Sequence, residues 1–163
     1  MALDVIVDGF ENFHCSYSSF SIFRRQILRG WNKEFGVLYE LYFKIIDHGS
    51  IEEIYKREFD ILNKYTRNQL LDPFFIETKL DEILNEYDKP YNEGMKIFAH
   101  HSDYDGELTP EESVLVLKSF NRVNPDNFKK LDVYYNTWCR NSLKFWKKML
   151  AYAIENNKII EFA

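Results

Sequence analysis

Hydrophobic positions switch from a period of two at the start of the chain to a helical period over most of its length. Leu3, Val5 and Val7 alternate with Asp4, Ile6 and Asp8, a β-prone run that predicts a strand ending near Gly9. Lys158-Ile-Ile-Glu-Phe162 is a second short β-prone run, and pairing of the two predicts a small sheet joining the N- and C-terminal strands. Between them the pattern is helical. Ser18 or Ser19 caps a first helix carrying Phe20, Phe23, Ile27 and Leu28, with Gly30 and Gly36 punctuating its end. Leu38, Leu41, Tyr42 and Ile45 share one face of a second helix over 37–47, which stops at His48-Gly49. Ser50-Ile-Glu-Glu53 has the capping-box form and opens a third helix through Ile54, Phe59, Ile61 and Leu62.

Asp72-Pro73 interrupts the pattern, and Leu80, Ile83 and Leu84 mark a helix over 77–87. Residues 92–101 continue as a helix despite Gly94. Thr109-Pro110-Glu111-Glu112 combines a cap, a proline at the first helical position and two carboxylates at the positive end of the dipole, so a helix runs from there to Phe120. Asn124-Pro125-Asp126 separates it from a long final helix over roughly 126–156, striped by Phe128, Leu131, Tyr135, Trp138, Phe145, Met149 and Tyr152. No internal repeat, low-complexity stretch or linker divides the chain. The expectation is one α+β domain over 1–163, predominantly helical.

Composition agrees with a packed core. Apolar residues are 45% of the chain and aromatics 17%, which excludes the disordered class. No apolar run reaches the ~18 residues of a membrane span, and residues 1–8 lack the basic start and apolar core of a signal peptide. Cys15 and Cys139 have no metal-ligand spacing and are too few for a disulfide framework, so the chain reads as cytoplasmic.

The net charge is −5 and unevenly spread: residues 72–112 carry 12 acids against 3 bases, whereas 129–163 carry 3 acids against 7 bases. That field repels nucleic acid and favours a protein partner with a basic surface. Lys129, Lys130, Lys144, Lys147 and Lys148, with Trp138 and Trp146, read as snorkelling lysines beside core aromatics rather than a nucleic-acid face.

Candidate chemistry concentrates in one segment. Over residues 101–112, Asp103 and Asp105 stand at positions 3 and 5 of a calcium loop, Gly106 at the turn position 6, the Glu107 carbonyl at 7 and Glu112 at the bidentate position 12. His101 occupies position 1, where an aspartate is usual. Two readings stand: Asp103, Asp105, Glu107 and Glu112, with His101, hold a divalent cation (calcium first, otherwise zinc or manganese), or the segment is an Asx turn leading to a helix cap and no cofactor is required. Elsewhere the sequence holds no phosphate-cradling glycine loop, no G-x-S-x-G and no H-E-x-x-H. His14 and Cys15 are adjacent and in a strand point to opposite faces, so they make no nucleophile–base pair. No catalytic residue can be named, and a non-enzymatic role is expected. Arg24, Arg25 and Arg29 are read as internal ion-pair partners rather than an anion site.

The His-Ser-Asp-Tyr-Asp-Gly-Glu segment at 101–107 resembles an EF-hand calcium loop with histidine first. It also resembles a segment of short, uncharacterised bacterial and phage-encoded proteins, in which cysteine is common where Tyr104 stands. Tyr17-Ser-Ser-Phe20-Ser-Ile-Phe23-Arg24 and the closing Tyr152-Ala-Ile-Glu-Asn-Asn157 are similar to the same family, while residues 37–91 are not. The resemblance implies a bacterial, prophage-linked setting, makes histidine at position 1 usual, and supplies no activity. The resulting expectation is a small acidic binding protein of the inhibitor or immunity type, with divalent-cation binding at 101–112 as the alternative.

Overall fold

The computed structural model describes residues 2–86, 89–101 and 106–163. Strands β1 (Ala2–Ile6) and β2 (Phe13–Ser16) form a hairpin that runs directly into helix α1 (Tyr17–Trp31). Helices α2 (Lys33–Ile46), α3 (Glu52–Arg57), α4 (Phe59–Leu62), α5 (Arg67–Leu70), α6 (Pro73–Glu86) and α7 (Lys89–His100) follow. The two-residue strand β3 (Glu107–Leu108), α8 (Pro110–Phe120), a 3-10 turn (Pro125–Asn127), α9 (Val133–Glu155) and β4 (Ile160–Phe162) complete the chain. The architecture is α+β and predominantly helical.

The four strands form one antiparallel sheet in the order β2-β1-β4-β3. The terminal strands pair as expected, Val5 with Phe162 and Ile6 with Glu161. Alternation buries Leu3, Val5, Phe13, Cys15, Ile160 and Phe162 on one face. That face meets α1 and α9, whose inward aromatics close around Trp146. Its ring centroid lies between 5.8 and 6.1 Å from those of Phe13, Phe20, Phe23, Phe98, Phe120 and Phe162. Trp146 is fully buried, so this tryptophan belongs to the core.

Several boundaries differ from the sequence expectation, each for a local reason. The cap of α1 is Ser16 rather than Ser18 or Ser19, its hydroxyl accepting from the Ser19 amide at 3.1 Å. Neither Gly30 nor Gly36 ends a helix; the break falls at Asn32, whose side chain caps α2 through the Phe35 amide at 2.9 Å. Gly36 instead permits close passage of α2 over α1, since a Cβ there would fall on the Cα of Arg29. The third helix breaks at Glu58, which turns inward to meet Arg29, and Phe59 is left half exposed. Ser50 forms no capping box: α3 starts after Ile51 without a side-chain cap, and the Ser50 hydroxyl only accepts from the Glu52 amide at 3.3 Å. Pro73 begins α6 rather than preceding it, as a proline at the first helical position can. The final helix starts at Val133, capped by Asp132, because 125–127 form a separate 3-10 turn.

Candidate binding cleft and the 101–112 segment

The 101–112 segment is tied down at both described ends. The guanidinium of Arg24 donates to the His101 carbonyl at 2.8 Å. The imidazole stacks on Phe162, with centroids 4.0 Å apart. Gly106, at φ +122, takes a backbone conformation that favours glycine, and its carbonyl accepts from the Phe162 amide at 3.0 Å. Leu108 then pairs with Ile160 and is buried.

Among the site residues expected from sequence, Asp103 and Asp105 lie outside the described residues. His101 Nε2 is 3.4 Å from the Glu107 carbonyl, so the groups at loop positions 1 and 7 are neighbours. The Glu107 side chain is exposed, and its residue stands opposite Glu161 across the β3–β4 ladder. Glu112 closes a reciprocal capping box: its carboxylate accepts from the Thr109 amide at 3.0 Å, while the Thr109 hydroxyl accepts from the Glu112 amide at 3.2 Å. Among the described residues, no group of three or more His, Cys, Asp or Glu is placed to hold a metal ion.

The arginines divide their work. Arg29 meets Glu58 at 2.8 Å with both side chains nearly buried. Glu58 also accepts from Arg57 at 3.1 Å, and Arg57 reaches Glu40 at 2.7 Å, which in turn meets Lys129 at 3.1 Å. Burial pushes the Glu40 carboxyl up, but the Lys129 and Arg57 charges outweigh it and hold the group below the ordinary carboxylate range. Arg25 lies over the Phe43 ring, 5.9 Å from its centroid. His14 and Cys15 point to opposite faces: His14 is exposed and 2.7 Å from Asp4, Cys15 buried. Burial pushes the Cys139 thiol up to about 12, so it is protonated at neutral pH.

A cleft of about 500 Å³ opens between α2, α6 and the end of α7. Tyr39, Tyr42 and Phe43 from α2 and Leu80 and Leu84 from α6 line it, and His100 closes the α7 side. Two carboxylates, Glu77 and Asp81, stand one helical turn apart along its α6 edge. The Tyr42 hydroxyl donates to Glu77 Oε1 at 2.5 Å, linking α2 to α6 and raising the phenol's pKa. Asp81 has no hydrogen-bond or ion-pair partner among the described residues. Phe74, on the same stripe of α6, is 75% exposed.

Sequence reading anticipated neither this cleft nor the acid pair facing its aromatics. Tyr42 reads as a core position of α2, and Glu77 and Asp81 as part of a diffuse acidic stretch. The signal available was the i, i+4 spacing of the two acids; the partner face on α2 required the tertiary fold. Comparison of the chain with family models, with curated proteins and with solved structures finds no match. Among the described residues, no helix is long and apolar enough to cross a membrane.

Proposed function

We propose that the chain is a non-catalytic binding protein of the inhibitor or immunity type, which covers a basic surface on a protein partner in a bacterial, prophage-linked cytoplasm. The observation that carries this reading is the outer face of α6, where Asp81 has no hydrogen-bond or ion-pair partner among the described residues and Glu77 is held by a tyrosine. Unneutralised carboxylates beside an exposed aromatic, Phe74, form a surface complementary to a basic and partly apolar partner. Electrostatic steering of that kind gives fast, salt-sensitive association.

The test is capture of a complex from bacterial lysate at low ionic strength, repeated with Asp81→Lys, Glu86→Lys and Glu93→Lys combined. The expected result is a complex that dissociates with salt and is not recovered by the charge-reversed chain. Recovery of the same complex by that variant would sink the reading.

A second reading, divalent-cation binding by 101–112, is favoured by the approach of His101 Nε2 to the Glu107 carbonyl. Thermal unfolding after chelation, with calcium, magnesium, manganese or zinc restored singly, tests it. An ion at 100 times its dissociation constant adds about 2.7 kcal/mol. That increment should vanish in Asp103→Asn with Glu112→Gln. No shift with any ion leaves the segment a turn and a cap.

A further inference from the structure

We infer that the cleft between α2, α6 and α7 is a guanidinium-binding subsite that receives an arginine side chain of the partner; this rests on the basic-partner reading above. The cleft volume, about 500 Å³, lies within the roughly 300–1,000 Å³ typical of ligand sites. Aromatic walls with carboxylates at one edge suit a cation that is weakly hydrated, stacks on ring faces and donates in a plane. Guanidinium has all three properties, whereas a lysine ammonium is compact and strongly hydrated.

The two acids are prepared unequally. The Tyr42 hydroxyl occupies Glu77 Oε1 and fixes that carboxylate, leaving Oε2 without a partner among the described residues. Asp81 offers both oxygens, about 6 Å further along the α6 axis by the helical rise. A planar fork spans such acceptors better than a point charge does. The helix α7 ends at His100 on the opposite wall, so the negative pole of its dipole lies on the cleft as well.

Two nearby cations are already engaged: Arg25 lies over the ring of Phe43, itself a wall of the cleft, at 5.9 Å, and Lys79 on α6 pairs with Glu82 at 2.7 Å. Exposed Phe74 continues the Glu77–Asp81 stripe by one turn and provides an apolar contact for the residue beside the arginine.

The test titrates the full chain with N-acetyl-arginine amide and follows the tyrosine ring resonances by NMR. Lysine and citrulline counterparts serve as the ammonium and the neutral isostere. A saturable shift is expected for the arginine derivative, with binding at least about tenfold weaker for the other two. Glu77→Gln with Asp81→Asn should weaken arginine binding by about tenfold or more, and Glu155→Gln, exposed on α9 and off the cleft, should leave it within about twofold. Both cleft positions are on the exposed face of α6, and Asp81→Asn alone provides a milder variant should the double one unfold. Absence of a saturable shift, equal binding of citrulline or lysine, or an unchanged affinity in the variants overturns the inference. If the derivative fails while the partner complex remains salt-sensitive and is lost on charge reversal, the subsite is wrong and the broader reading stands. If the derivative binds but charge reversal leaves the partner complex intact, the basic-surface reading fails.

Discussion

Glu58 is 5% exposed and stands between two guanidinium groups, Arg29 at 2.8 Å and Arg57 at 3.1 Å. Deleting one member of a buried pair leaves the other charged and unsolvated, which costs about 3–5 kcal/mol. Glu58→Ala should therefore lower stability by that amount in urea unfolding. Arg29→Met with Glu58→Leu should cost clearly less than the two single changes summed, since neither charge is then stranded. An additive double variant would show that the two residues act separately. At Cys139, a thiol held protonated by burial should resist an aromatic disulfide reagent in the native protein and react fully in denaturant. Rapid native labelling of Cys139, measured in Cys15→Ser, would contradict the burial seen here. Residue identity alone could not separate Glu58 from its exposed acidic neighbours. It follows Glu52 and Glu53 in a charged run, and only the approach of α1 to the α3–α4 junction selects it.

Elements whose signals are local were the legible ones. Thr109, Pro110 and Glu112 carry the start of α8 within four residues, and the structure forms that capping box. The terminal strands were legible through β-branched runs, but β2 was not, because Ser16 serves as both its last residue and the cap of α1. The α1–α2 boundary was misplaced because Gly36 marks a close approach rather than a stop, a distinction invisible without the second helix. The α8 cap also separates two roles of Glu112. Thr109→Ala should cost about 1 kcal/mol with or without chelator. Glutamine also serves the third position of a capping box, so Glu112→Gln should leave chelated stability nearly unchanged. A large loss in chelated Glu112→Gln would mean that the charge, not the cap, supports the fold. Where α7 crosses α8, a Cβ on Gly94 would fall on the Leu115 carbonyl, a backbone atom that cannot rotate away. Gly94→Ala should destabilise by about 1–3 kcal/mol despite alanine's better helix propensity, as chemical denaturation would show.

Over the whole molecule, long-range ion pairs link elements far apart in sequence and set the response to acid. Glu40 on α2 joins Arg57 on α3 to Lys129 ahead of α9, and Glu34 on α2 accepts from Tyr65 at 2.6 Å and meets Lys64 at 2.5 Å. Burial raises the Glu34 carboxyl, but Lys64 and Tyr65 together hold it, like Glu40, below the ordinary value of 4.5. A carboxyl with a depressed folded pKa binds fewer protons in the folded state than in the unfolded chain. Its stabilising contribution is therefore complete above 4.5 and disappears as the pH falls through the lower folded value. Protonation of the 26 acids against 21 bases also turns the net charge of −5 positive over the same interval, adding self-repulsion. Stability should be level from neutral pH to near 5 and then fall steeply. Glu40→Gln should be less stable than the parent at pH 7, and that difference should shrink toward zero as the parent's own Glu40 becomes protonated. Urea midpoints of both proteins across this range decide it: a gap as wide at pH 3 as at pH 7 would mean that Glu40 contributes through packing and neutral hydrogen bonds, not through its charge.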